Sequence, residues 1–228
     1  PLPARQHSAS AEAAILYPRM RILRKQLRSI VTNVDYAALR TDVVTAGGLG
    51  CAGDFICQQA VEGQGAMDWR RFLAVSTFEA FYMGGVFHFL CQMFPLVVVA
   101  AGRNLPARFG LAQQLQATGT AAHAFGCAIA DNIHDGTLMI PSYFLGVGML
   151  QGDTFEQARR NLKAEWLSAY LVGAGFWLPV MTCNFALVPA QYRVRTMALA
   201  NTAWSVIIDY MAHRSKPRSE KVGENGGH

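Results

Sequence analysis

The sequence predicts an all-α protein, a multi-pass transmembrane helical bundle of four helices, with up to six able to be drawn. Three observations lead there. Residues 166–192, WLSAYLVGAGFWLPVMTCNFALVPAQY, contain no charged side chain and lie between Glu165 and Arg193. About 20 mostly apolar residues suffice to cross the hydrocarbon core of a bilayer, and Trp and Tyr at both ends of this run suit its interfaces. A second uncharged run covers Ala80–Gly102. The chain of 228 residues is 52% hydrophobic and 15% charged, where soluble domains carry about 25% charge. The competing reading is an apolar, all-helical soluble domain, since a chain of this length can bury a large core.

The elements follow in order. Residues 1–35 form a basic arm with a helix expected over Met20–Val34. The helical membrane domain covers residues 36–214, and a polar tail covers 215–228. Within the domain, Val43–Val61 is the first span and Phe72–Ala101 the second. Leu111–Ala130 is a weaker candidate because Gln113, Gln114 and Gln116 open it, and Thr137–Leu150 is short with Pro141 near its start. Residues 153–165 mix both signs of charge and are expected as a surface helix leading into the strong span, Trp166–Val188. Thr196–Met211 is the last helix. Arg5, Arg19, Arg21, Arg24, Lys25 and Arg28, facing a single acid, Glu12, gather at one end of the chain, and Arg214, Lys216, Arg218 and Lys221 at the other. Beside apolar spans such clusters mark the side where positive charge is retained. Both termini are therefore expected on one side, with an even number of crossings. Nucleic acid is not expected as a partner. The Arg-rich, acid-poor opening with Ser8 and Ser10 resembles a mitochondrial targeting segment.

Small residues recur four apart, at Ala46/Gly50, Ala80/Gly84, Gly148/Gly152, Ala169/Gly173 and along Ala122/Gly126/Ala130. In lipid such faces let helix backbones approach closely. The 5 cysteines are scattered through apolar segments with no Cys-x-x-Cys pair, and read as small buried hydrophobes. Ionisable groups inside spans are costly and need a reason. Asp54 and Gln58 share a helix face, with Gln59 beside them. Glu79 and His88 lie in the second span, Asn184 in the strong one. Asp131, His134 and Asp135 share a face at i, i+3 and i+4. These groups either converge on a polar path or form interhelical hydrogen bonds worth about 0.6–2 kcal/mol each. A carboxylate-x-x-His pair ligates metal in bundles, but the di-metal sites need two copies and this chain offers one, so no metal is expected. Gly47-Gly48-Leu49-Gly50 opens no strand–loop–helix unit and is a packing patch, not a phosphate cradle. No nucleophile–base pair or cofactor motif stands out. No catalytic residue, cofactor or enzymatic activity is expected.

Over roughly residues 36–214 the chain resembles the Mpv17 / PMP22 family of small multi-pass membrane proteins. The opening match is Leu39, Val44-Thr45-Ala46-Gly47-Gly48-Leu49, Gly53-Asp54 and Gln58-Gln59, followed by the acid-x-x-Arg link in Asp68-Trp69-Arg70-Arg71. The closing match is more specific: Trp177, Asn184-Phe185, Val188-Pro189, Tyr192-Arg193 and Trp204 all keep the family's offsets. There are departures. The family's Trp-Pro-x-x-Gln reads Trp177-Leu178-Pro179-Val180-Met181. The preceding Asn falls on Gly173, and the Asn after Trp204 is Ser205. Counting back from Pro141, the middle Asp-Gln falls on Asp135-Gly136, with Asp131-Asn132 the poorer-spaced alternative. Gly-Pro-x-x-His corresponds to Gly84-Gly85-Val86-Phe87-His88, without its Pro. The resemblance implies the mitochondrial inner membrane, with peroxisomal or plastid membranes as alternatives, and a channel-like role for some members. Because several intramembrane amides are lost, the expected function is a non-catalytic accessory subunit. Its partners would be the lipid bilayer and other membrane subunits, with self-association as a variant. A small ion- or solute-conducting pore using Asp54, Gln58, Asp135 and Asn184 is the alternative.

Overall fold

The computed structural model describes residues 21, 23–62, 66–106 and 110–214. The first twenty residues and the tail from 215 lie outside the described residues, and with them most of the expected basic arm. Every regular element among the described residues is helical. Residue 21 and residues 23–32 are helical, within the Met20–Val34 helix expected, which ends two residues early.

Helix α1 spans Tyr36–Ile56 and begins because the Asp35 carboxylate accepts from the backbone N–H groups of Ala37 and Ala38, at 3.0 and 3.1 Å. This satisfies donors that a helix start leaves open and moves the start seven residues ahead of the expected Val43. The helix runs on through a π turn, Cys57–Val61. Asp68 caps α2, Trp69–Phe78, by accepting from the Arg71 N–H at 3.0 Å. A π segment, Glu79–Val86, joins α2 to α3, Phe87–Asn104, in one helix of 36 residues. The short α4, Gly110–Gln116, ends before Gly119, whose φ of +93° only glycine adopts freely. That turn divides the expected Leu111–Ala130 helix. Thr120 then caps α5, Ala121–His134, through the His123 N–H.

A π turn, Asp135–Met139, carries α5 into α6, Ile140–Leu150. The Thr137–Leu150 helix expected to stand alone is therefore the second half of a longer one. Pro141 does not break it. Proline removes one donor from the ladder, and the preceding π turn frees the Gly136 carbonyl, which accepts instead from the Trp166 indole N–H at 2.8 Å. Gly152, at φ +95°, closes the turn after α6, while Gly148 keeps its packing role, since a Cβ there would meet the Ala158 Cβ at 3.2 Å. A capping box at Thr154 and Gln157 starts α7, Phe155–Leu187, a single helix of 33 residues. The expected surface helix over 153–165 is thus the first three turns of the strong span. A 3-10 turn, Ala190–Tyr192, leads into α8, Arg193–Arg214.

These helices make five long passes. The α2–α3 helix runs antiparallel to α1, with Arg71 beside Asp54 and His88 beside Asp42. Helix α8 runs parallel to α1, since Arg195 stands 3.7 Å from Asp42 and Cys57 reaches the Val206 carbonyl. At the end where α6 finishes, Arg70 donates to the Leu150 carbonyl; at the other, Phe94 packs on Phe185 of α7. The start of α1 and the end of α8 therefore lie at opposite ends of the bundle. The expectation was an even number of passes, four, with both termini on one side; the described residues, which stop short of both termini, make five.

Glycines set the spacing. A Cβ on Gly84 would run into the Val43 backbone, and one on Gly50 would meet Glu79 Cβ and Cγ at 2.6 Å. Around the outside, Val44, Phe81, Leu171 and Leu199 are all more than 60% exposed. Two helices, Trp69–Asn104 and Phe155–Leu187, are long and apolar enough to cross a membrane, and most of each apolar stretch faces outward. A soluble core helix would be mostly buried.

Candidate functional site

The polar side chains inside the bundle form separate clusters along its axis. The first joins α1 to the start of α2. Asp54 and Gln58 sit one turn apart, so both face inward, and both are fully buried. Arg71 donates from Nε to Asp54 Oδ1 at 2.9 Å and from Nη1 to Glu62 Oε2 at 2.7 Å. Gln58 donates to Asp54 Oδ2 at 2.7 Å and accepts from the Asp68 backbone N–H, also at 2.7 Å. Every group here is spent on another, so the cluster works as a staple closing the α1–α2 link. Gln59, a candidate in the sequence, is exposed and reaches only the Met67 sulfur. It takes no part, because one residue along a helix turns the side chain about 100° away.

Midway, the buried Glu79 carboxylate accepts from Asn201 Nδ2 at 2.6 Å and from the Ser205 hydroxyl at 3.3 Å. Ser205 occupies the position where the sequence had lost an amide, and Asn201, one turn earlier, supplies one to the same carboxylate. Beside it Trp177 and Trp204 meet edge to face at 6.1 Å, with Phe176 stacked on Trp204. Gly173 lets Trp204 in, since a Cβ there would meet its ring at 3.2 Å. The third cluster lies between the Glu79–Val86 segment and α5: Tyr82 Oη pairs with His134 Nε2 at 2.9 Å, and His134 Nδ1 stands 3.5 Å from Asp135 Oδ1. Asp131 completes the group, and Tyr170 holds Asn132 at 3.0 Å.

At the end where α1 starts, His88 Nδ1 bonds Asp42 Oδ2 at 2.7 Å. This pair borders a basin of about 550 Å³ that Gln92, Arg193 and Arg195 also line. The α7–α8 corner beside it explains the Asn-Phe-x-x-Val-Pro-x-x-Tyr-Arg spacing. Arg193 donates to the Val188 and Phe185 carbonyls at 3.1 and 3.2 Å and lies over the Phe185 ring at 4.9 Å. Asn184 in turn donates to the Arg193 carbonyl. The motif is thus a folded corner in which one guanidinium satisfies the orphan acceptors of a helix end. Asp135 and Asn184, two of the expected pore residues, lie in different clusters from Asp54 and Gln58. Sequence reasoning missed Asp42, Arg195 and Asn201 as site residues. It quoted Arg71 only as part of a link, although the acid-x-x-Arg spacing carried the signal.

A bundle that pairs its charges inward and turns large apolar side chains outward is the makeup of a protein that lives in lipid. The comparisons with known proteins agree. The pattern described as the Mpv17 / PMP22 family matches residues 148–209. Protein SYM1 of Eremothecium gossypii is 26% identical over 172 residues, which cover 75% of this chain and 87% of that protein. The mitochondrial inner membrane protein Mpv17 of Danio rerio is 22% identical over 178 residues, 77% of this chain and 90% of that one. The rat Mpv17 protein is 26% identical over 177 residues, again 77% and 90%. No solved structure matches. Over its last third the chain is thus similar to the Mpv17 / PMP22 family, and over three quarters of its length to relatives that include proteins named for the mitochondrial inner membrane.

Proposed function

We propose that this chain is a non-catalytic, multi-pass subunit that packs against a larger complex of the mitochondrial inner membrane. The observation that carries this reading is a groove of about 850 Å³ between α1 and the α2–α3 helix, open to the outside and almost wholly apolar. Its floor holds Gly47, Cys51, Ala80 and Gly85, with Phe81 and Phe89 at its walls. In lipid, helices associate through small-residue faces that allow close approach, and no helix among the described residues covers this face. Inside, the polar groups are largely spent on one another, which suits a rigid packing unit. Gly85 gives the test, because a Cβ there meets only the Ala80 carbonyl, at 3.9 Å. Gly85→Leu fills the groove without disturbing the fold. Wild-type protein is expected to migrate on native gels within a large complex, and the variant as a small species of normal abundance. Wild-type protein migrating as a lone small species overturns the proposal.

The basin of about 550 Å³ at the α1 start favours a second reading, a small pore for ions or solutes. Along the axis, the Trp177–Trp204 layer and the Glu79–Asn201 pair separate that basin from Asp54 and Arg71. Bilayer conductance that changes on Asp54→Asn would favour the pore over the packing subunit.

A further inference from the structure

The cluster on α5 combines unpartnered buried atoms with three metal-ligating side chains on one helix face. Asp131 and His134 are 1% and 7% exposed, and among the described residues Asp131 Oδ1 and His134 Nδ1 have no hydrogen-bond partner. Asp131, His134 and Asp135 each bring one ligating atom within 4.8 Å of the other two. We propose that these three residues form a single-ion site for a divalent transition-metal cation of the zinc type.

The chemistry of the donors supports that assignment. Two carboxylates one turn apart repel each other, and more strongly where water is excluded. A dication cancels both charges at once. An imidazole beside two carboxylates suits zinc and its first-row neighbours, whereas magnesium and calcium prefer all-oxygen shells. Zinc bonds of about 2 Å at tetrahedral angles hold donor atoms about 3.4 Å apart. His134 Nδ1 and Asp135 Oδ1 already stand at 3.5 Å, and Asp131 closes the rest by side-chain rotation. The outer contact fits as well. A metal-bound histidine donates its other ring N–H to a fixed acceptor, which sets the tautomer. With His134 Nε2 donating to Tyr82 Oη, at 2.9 Å, Nδ1 keeps its lone pair for the ion. The π turn that begins at Asp135 bends the backbone at the site, a place where such turns often serve function. The sequence reading set metal aside for want of a second Asp-x-x-His copy. A single ion needs only three protein ligands and leaves a fourth position open.

The test uses the full chain purified in detergent and stripped with chelator. Zinc is titrated against a chromophoric competitor, and cobalt is used as a spectroscopic stand-in. One equivalent per chain is expected, with cobalt ligand-field bands and no thiolate charge-transfer band. Asp131→Asn and His134→Gln should each weaken binding by more than about 100-fold, and Tyr82→Phe by about 10-fold. If either ligand variant does not fold, the wild-type protein alone decides: zinc should raise its unfolding temperature and chelator should reverse the rise. Absence of saturable binding, a thiolate band, or wild-type affinity in folded His134→Gln overturns the proposal.

Discussion

At the scale of single residues, Asp54 and its neighbour Gln59 make opposite predictions. Asp54 is fully buried and bonded to both Arg71 and Gln58. Removing one partner of a buried ion pair strands the other charge, at a cost of about 3–5 kcal/mol. Asp54→Ala should therefore lower the unfolding midpoint sharply in a detergent titration. Gln59→Ala should stay within about 0.5 kcal/mol of wild type. Replacing both Asp54 and Arg71 by apolar residues of similar volume should recover much of the loss, because neither charge is then left alone. A double variant as unstable as Asp54→Ala would mean that the site is held by something other than the pair. The inward face of Asp54 and Gln58 was legible in the sequence, since residues four apart share a helix side. Their cation was harder to read, because Arg70 and Arg71 are adjacent and only the helix start at Trp69 decides which one turns inward. The pairs Asp42–His88 and Glu79–Asn201 join residues far apart in sequence, and no local pattern announces them.

At the scale of the helix, glycines that look alike in sequence differ by what they face. Gly84 lies against the Val43 backbone, while a Cβ on Gly48 would meet nothing within 4 Å. Gly84→Ala must push α1 away from the Glu79–Val86 segment, and overpacking of this kind costs about 1–3 kcal/mol or more. Gly48→Ala fills open space and reduces the entropy lost on folding, so it should stabilise by about 0.5–1 kcal/mol. Thermal unfolding of the two variants should shift in opposite directions; equal shifts would contradict the packing described. The corner between α7 and α8 adds another case. Arg193→Lys keeps the charge but loses the planar fork that reaches two carbonyls, so local protection from hydrogen exchange at Phe185–Val188 should fall. Helix existence was legible from the uncharged runs and the small-residue spacing. Helix boundaries were less so. Caps at Asp35, Asp68 and Thr154 begin helices in polar sequence ahead of the apolar run, and π turns carry helices through positions that read as breaks.

At the scale of the whole molecule, the five passes put the start of α1 and the end of α8 at opposite ends of the bundle. The end where α1 begins gathers Arg24, Lys25, Arg28, Arg40, Arg193 and Arg195, against Asp35 and Asp42. At the opposite end the loops balance, with Glu62, Asp68, Asp153, Glu156 and Glu165 set against Arg70, Arg71, Arg159, Arg160 and Lys163, and Arg214, Lys216, Arg218 and Lys221 come only where α8 finishes and in the sequence beyond it. Positive charge is retained on one side of a membrane, so the α1 start should face the matrix. The tail after α8 should then emerge on the other face. Two of the passes, Trp69–Asn104 and Phe155–Leu187, are both long and apolar enough to cross, and even the 22 residues of α8 reach about 33 Å, the length of a hydrocarbon core of about 30 Å. One epitope placed after residue 214 and another in the link between α3 and α4 separate the possibilities. In mitochondria whose outer membrane has been opened, protease should remove the first and spare the second until detergent is added. Removal of both, or protection of both, would place the two ends on one face and would require that one of the five passes lie along the membrane rather than through it.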